Sequence, residues 1–232
     1  MMSRIFTCLM IIKASIVLAQ TNDVMYVDLG DNVEIKCPYK TTASKITWFG
    51  TDMLSPVSQG STLYSHNNDS QRLRLVGNFS IGEYILKIIG LRSTDLGTYK
   101  CVVSIENILY QHEVRLVLKR TPKDLKITNA EDDIIRGFEG KGIQLECSVI
   151  SGIPQETLVW EHEGIVLNES QAGSVYINFI AKHFNHLNEY SCKANSDILK
   201  SPLQRNVTLM ISYIPRVILS NNETVQIFEE SP

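Results

Sequence analysis

Cysteine, histidine and acidic side chains are where this 232-residue sequence could do chemistry. A thiol can be a nucleophile, a metal ligand or half of a disulfide, and spacing separates the three. Cys37, Cys101, Cys147 and Cys192 stand far apart, with no Cys-x-x-Cys pair. The five histidines, His66, His112, His162, His183 and His186, form no His-Glu-x-x-His motif. His183 and His186 are three apart with no third ligand in view. Read as strand residues, they point to opposite faces as ordinary surface histidines. No Gly-x-Ser-x-Gly elbow and no phosphate-cradling glycine loop occurs. The expectation is a chain with no catalytic residue, no metal and no cofactor. Disulfide formation is the chemistry left, and it needs an oxidising compartment.

The N-terminus supplies a route to one. "MMSR" is a short positive start, "IFTCLMIIKASIVLA" is apolar, and Val17 and Ala19 fit the small-residue cleavage rule before Gln20. Residues 1–19 therefore read as a signal peptide; the alternative is a buried N-terminal helix or strand. Lys13 interrupts the stretch, which is too short for a good membrane span. Cleavage removes Cys8 and leaves four cysteines, which allow three pairings. The composition, 44% hydrophobic and 20% charged, is that of a globular protein. A net charge of −3 with no basic block weighs against nucleic acid as a partner.

The elements that must position these residues repeat. "VEIKC" leads to Trp48 and then to "TYKC" ending at Cys101; "IQLEC" leads to Trp160 and then to "EYSC" ending at Cys192. Two copies of one unit imply pairing within each copy, Cys37–Cys101 and Cys147–Cys192. Period-two alternation predicts strands: Val33, Ile35 and Cys37 face one way while Glu34 and Lys36 face the other. Ile46 and Trp48, Leu86 and Ile88, Tyr99, Cys101 and Val103, and Val114, Leu116 and Leu118 alternate likewise. No convincing helix-period segment follows residue 19.

The Cys–Trp–Tyr-x-Cys pattern, present twice, resembles the immunoglobulin superfamily. The resemblance implies an all-β chain: tandem immunoglobulin-like antiparallel β-sandwiches with Greek-key connections, each with one inter-sheet disulfide. Residues 20–120 resemble a variable-type domain, because the cysteines stand 64 positions apart and leave room for extra strands. Residues 121–214, with cysteines 45 positions apart, resemble a shorter constant or intermediate type. Residues 215–232 look like the first strand of a third domain. Trp48, Tyr99, Trp160 and Tyr190 become core residues, the tyrosines in the position of the tyrosine corner. In "DLGTYKC", Asp95 takes the place of the acid that pairs with an arginine at the base of such domains. Arg72 is the expected partner and Arg74 the alternative. In the second copy His186 and Asn188 stand where the first has Asp95 and Gly97.

The joint after the second copy, "ISYIPRV", is similar to those of nectin-, SynCAM- and nephrin-like adhesion receptors. The resemblance implies an extracellular recognition module, secreted or at the plasma membrane, that binds a protein partner, homophilically or otherwise, with a membrane anchor only beyond Pro232. The alternative is a matrix protein built of many such domains. Five glycosylation sequons occur, at Asn68, Asn78, Asn168, Asn206 and Asn222. In the first domain both lie around the strand after Arg72. The strands of Trp48, Cys101 and Val114 carry none. Their outward residues are Lys45, Thr47 and Phe49, then Lys100, Val102 and Ser104, then Glu113, Arg115 and Val117. Phe49 and Val102, with Ile108, Leu109 and Tyr110 from the loop "ENILYQ", form the expected partner-binding surface.

Overall fold

The computed structural model describes residues 17–40, 46–64, 71–106 and 108–214. The chain divides into two units, the first ending at Leu118 and the second starting at Lys119. The described residues contain no α-helix; three single 3-10 turns punctuate the strands. Most of the expected leader, Lys45, His66, Asn68, Asn222 and the expected start of a third domain lie outside the described residues. The first strand begins at Val17, so cleavage after Ala19 would leave its part from Gln20 to Val27.

The first unit contains β1 (Val17–Val27), β2 (Val33–Lys36), β3 (Ile46–Phe49), β4 (Pro56–Gln59), β5 (Thr62–Leu63), β6 (Leu73–Val76), β7 (Ile85–Ile88), β8 (Gly97–Ile105) and β9 (Ile108–Leu118). One sheet has the order β1-β9-β8-β3-β4-β5, the other β2-β7-β6. Every neighbouring pair is antiparallel except β1, which runs parallel to β9. The strict alternation of β2 and β3 sends Ile35, Ile46 and Trp48 inward, where they meet Leu86, Ile88 and Val103. The Cys37–Cys101 disulfide crosses this core with its Cα atoms 6.1 Å apart. β4 and β5 fill the long interval between the cysteines.

One buried pair of polar atoms in this core stays unsatisfied. Trp48 and Ser58 are opposite one another on β3 and β4, and both are 0% exposed. Among the described residues neither Trp48 Nε1 nor Ser58 Oγ finds a hydrogen-bond partner. A desolvated hydroxyl without a partner is unfavourable by about 1–3 kcal/mol. Ser58→Ala is therefore expected to stabilise the first domain by about 1 kcal/mol in denaturant titration. A clear loss of stability would show that the hydroxyl is bonded in solution.

The second unit contains β10 (Lys123–Ile127), β11 (Ile134–Phe138), β12 (Gly142–Ile150), β13 (Thr157–His162), β14 (Ile165–Ser170), β15 (Ser174–Ile180), β16 (Glu189–Asn195) and β17 (Leu203–Ser212). Its sheets are β10-β12-β15 and β11-β17-β16-β13-β14. The core gathers Leu145, Leu158, Trp160, Ala194 and Leu209 around the Cys147–Cys192 disulfide. Here the indole is satisfied: Trp160 Nε1 donates to the Val175 carbonyl at 3.2 Å.

Candidate functional site

The acid of "DLGTYKC" ends a 3-10 turn, Ser93–Asp95. Arg72 Nη1 and Nη2 donate to its two carboxylate oxygens at 2.8 and 2.9 Å, and Nη1 also reaches the Gly90 carbonyl. The Arg92 N–H donates to Asp95 Oδ2 at 2.7 Å, and the Tyr99 hydroxyl donates to the Asp95 carbonyl at 2.9 Å. Both side chains of the ion pair are largely buried. Burial alone would raise the Asp95 pKa. The Arg72 hydrogen bonds, the Arg92 N–H and both guanidinium charges outweigh it and hold the carboxyl below its ordinary value. Burial pushes the Tyr99 phenol upward. A bidentate pair with every acceptor engaged holds the base of the domain closed. Arg74 is exposed, opposite Lys87 on β7.

The second unit builds the same turn one residue further from its tyrosine. Asn185 ends the turn His183–Asn185 and accepts from the Lys182 N–H at 2.9 Å. Asn185, rather than His186, therefore stands where Asp95 does. A neutral amide there makes no ion pair. Burial raises the Tyr190 pKa, against hydrogen bonding from Asn188 and Asn185. His183 and His186 are not strand residues on opposite faces. Both rings lie beside Tyr213, with centroids 6.3 and 5.8 Å from it. His183 Nδ1 meets Glu139 Oε1 at 3.0 Å, and His186 Nδ1 accepts from the Ile211 N–H at 3.1 Å. Among the described residues no group of three His, Cys, Asp or Glu could hold a metal ion.

Strand register builds the outward face of the larger first-unit sheet. Thr47 opposes Val102 and Phe49 opposes Lys100. Lys100 in turn opposes Glu113, Val102 opposes Gln111, and Ser104 opposes Leu109. Lys100 Nζ sits 5.3 Å from the centroid of the Phe49 ring, a cation–π contact. Phe49, Val102 and Leu109 thus lie on one diagonal strip across β3, β8 and β9, interleaved with Thr47, Gln111 and Ser104 and flanked by Lys100, Glu113 and Arg115.

Ile108 and Tyr110 are not on this strip, and "ENILYQ" is not a long loop. β8 ends at Ile105 and β9 resumes at Ile108. Tyr110 opposes the buried Val103, Ile108 opposes Ile105, and the Tyr110 ring packs 5.3 Å from that of Tyr39. Because side chains alternate, residues 108 and 110 share the inward face.

The described sequons fall elsewhere. Asn78 precedes the turn Phe79–Ile81 between β6 and β7, on the other sheet. In the second unit Asn206 lies on β17, its amide engaged by Ser191, Gln204 and Glu189. Asn168 lies on β14.

Two buried ionisable residues had no motif to announce them. His112 on β9 is 4% exposed; its Nδ1 shares a 2.7 Å hydrogen bond with the Thr21 hydroxyl, and Asp23 lies 3.5 Å from Nε2. These contacts tie β1 to β9. Glu156 is 0% exposed and accepts from Ser151 Oγ at 2.9 Å and the Gly152 N–H at 2.7 Å. A buried carboxylate with two donors organises a loop.

Residues 20–119 match the immunoglobulin V-set domain. The chain is 24% identical over 195 residues to neuronal growth regulator 1 of Gallus gallus, covering 84% of this chain and 52% of that protein. It is 27% identical over 194 residues to lachesin of Drosophila melanogaster, covering 81% and 52%. Limbic system-associated membrane protein of Rattus norvegicus is 23% identical over 195 residues, covering 83% and 54%. The chain spans about half the length of these relatives. Among solved structures, the first two domains of Rst match with a TM-score of 0.50 at 18% identity, over 82% of this chain and 96% of that one.

Proposed function

We propose, from the premise that this is an immunoglobulin-superfamily chain with a V-set first domain, that it recognises a protein partner through that domain and catalyses nothing. The curated relatives are immunoglobulin-domain cell-adhesion proteins. They support adhesion at the cell surface as the setting, after export into an oxidising compartment where the two disulfides form.

The observation that carries the reading is the strip Phe49–Val102–Leu109. Its three apolar side chains alternate with the uncharged Thr47, Gln111 and Ser104, and Lys100, Glu113 and Arg115 bring both signs of charge to its rim. No described sequon falls on that face, whereas Asn78 lies on the opposite sheet and Asn206 on the broad sheet of the second unit. An unglycosylated strip of apolar and uncharged side chains with a charged rim has the make-up of an interface. Lys100, Arg115 and Glu113 together suit a second copy of the same face, so self-association is the form of binding we expect.

Anchor residues at an interface centre typically contribute about 2 kcal/mol or more. Phe49→Ala and Val102→Asp are therefore expected to weaken self-association of the full chain at least about tenfold by sedimentation. Thermal melts should stay close to the parent, because these side chains lie outside the core. Tyr110→Ala should instead lower the melt, through lost packing on Tyr39. Parent-like association by both face variants would place the contact elsewhere.

A further inference from the structure

Among the end strands of the second unit's two sheets, β14 is the most apolar on its exposed side. β14 is the end strand of its sheet, and Ile165, Val166 and Leu167 on it are 66%, 54% and 44% exposed. Across the opening, Tyr176 and Ile180 of β15 and Phe184 of the following turn are also exposed. Between them runs a cleft of about 670 Å³, lined by His162, Leu167, Asn168, Tyr176, Phe179 and Phe184 among others. Small-ligand sites span about 300–1,000 Å³. A bare edge strand with three consecutive apolar residues is a template for pairing with another chain.

The wall of this cleft carries its own attachment point. Asn168-Glu169-Ser170 is a sequon. Asn168 Nδ2 donates to the Tyr176 carbonyl at 2.8 Å, and Oδ1 accepts from the Glu169 N–H at 3.0 Å. The amide therefore bridges β14 to β15 at the cleft. Asn206, by contrast, lies on a strand face among Ser191, Gln204 and Glu189.

We propose that Asn168 carries an N-linked glycan whose first sugars lie in this cleft, their C–H faces on Tyr176 and Phe184, so that the glycan closes the open edge. In the transfer, Nδ2 bonds to the anomeric carbon of an oligosaccharide carried on a lipid diphosphate. The anomeric C–O bond breaks, the lipid diphosphate leaves with the electron pair, and Nδ2 loses one proton. The remaining N–H can keep its bond to the Tyr176 carbonyl. Pyranose rings offer apolar C–H faces and hydroxyl rims, which matches aromatic walls beside Asn178 and Lys182. A bulky hydrated group on β14 also blocks strand addition. The inference rests on export of the chain, without which neither Asn168 nor Asn206 is modified.

The test is the full chain expressed through the secretory pathway of a glycosylating cell, with occupancy at Asn168 and Asn206 read by peptide mass spectrometry. Asn168 should be occupied, and its glycan should leave several-fold more slowly than that of Asn206 under a peptide N-glycosidase acting on folded protein. Tyr176→Ser should keep the glycan and abolish that protection. Ser170→Ala and Asn168→Gln should both remove the glycan, raise binding of an apolar dye several-fold and promote self-association that Val166→Lys reverses. Both sites empty would overturn the export reading and this inference with it. Asn206 occupied with Asn168 empty would overturn this inference alone. So would an Asn168 glycan released as fast as that of Asn206, or lost without effect on dye binding and association.

Discussion

Gly152→Ala is expected to destabilise the second domain by about 3 kcal/mol, at the top of the usual range for overpacking. A methyl group at this position would lie 2.6 Å from the Arg120 carbonyl oxygen, 2.8 Å from Pro122 Cδ and 2.9 Å from the Pro122 nitrogen. These are backbone and ring atoms, so no flexible side chain can swing away. Neither wall is free to shift. Arg120 and Ile153 exchange backbone hydrogen bonds at 2.9 and 2.7 Å, and the Gly152 N–H is held at 2.7 Å by the buried Glu156. For a domain of this size, 1 kcal/mol corresponds to roughly 4–8 °C, so the melting temperature should fall by more than about 10 °C. In a Trp48→Phe background, Trp160 fluorescence reports the second domain alone. Gly142→Ala is the control: a methyl there meets nothing within 4 Å, and the melt should barely move. Equal melts for the two variants would mean that the loop at Gly152 opens in solution.

Asp95→Ala should cost the first domain about 3 kcal/mol, because it takes the bidentate carboxylate away from the largely buried Arg72 guanidinium. It also removes the acceptor of the Arg92 N–H. Asp95→Asn should be costly as well, since it keeps the shape and loses the charge. Acid should reproduce the effect. Folding lowers the Asp95 pKa, so on acidification the unfolded chain takes up its proton first. The contribution of the pair is present above the ordinary carboxylate pKa of about 4 and disappears as pH falls through the lower folded-state value. The parent should therefore lose first-domain stability over that acidic range more steeply than Asp95→Ala does. Parallel stability–pH curves for the two proteins would remove Asp95 from the pair.

The repeated Cys–Trp–Tyr-x-Cys pattern made the sandwich legible because it is a pattern of side chains that must meet in one core. Alternation around Val33, Ile35 and Cys37 reported inward and outward faces for the same reason. Loop lengths were less legible. The turn before Tyr190 holds one residue more than that before Tyr99, and nothing in "HFNHLNEY" says whether the added residue falls before or after the capping side chain. Counting back from the tyrosine therefore reaches His186 rather than Asn185. Phe49 and Val102 could be placed outward by counting from Trp48 and Cys101. Ile108 and Tyr110 could not, because their face depends on how tightly β8 turns into β9. A hairpin resuming at Ile108 flips both residues inward. Glu156 was illegible for another reason: its donors are one serine hydroxyl and one backbone N–H, a constellation without a sequence signature.

The central claim is that the Phe49–Val102–Leu109 face is the contact surface, and a glycan wedge tests it most directly. Gln111→Asn combined with Glu113→Thr creates a sequon in the middle of that face. Glu34→Asn combined with Lys36→Thr creates one on β2, in the opposite sheet, where both residues are exposed. Full chains secreted from a glycosylating cell, with occupancy verified by mass, are coupled to beads and scored for aggregation. The parent and the β2 wedge should aggregate alike, and the wedge at residue 111 should abolish aggregation while its thermal melt stays close to the parent. Undiminished aggregation with residue 111 fully glycosylated, or loss of aggregation from the β2 wedge alone, would contradict the account.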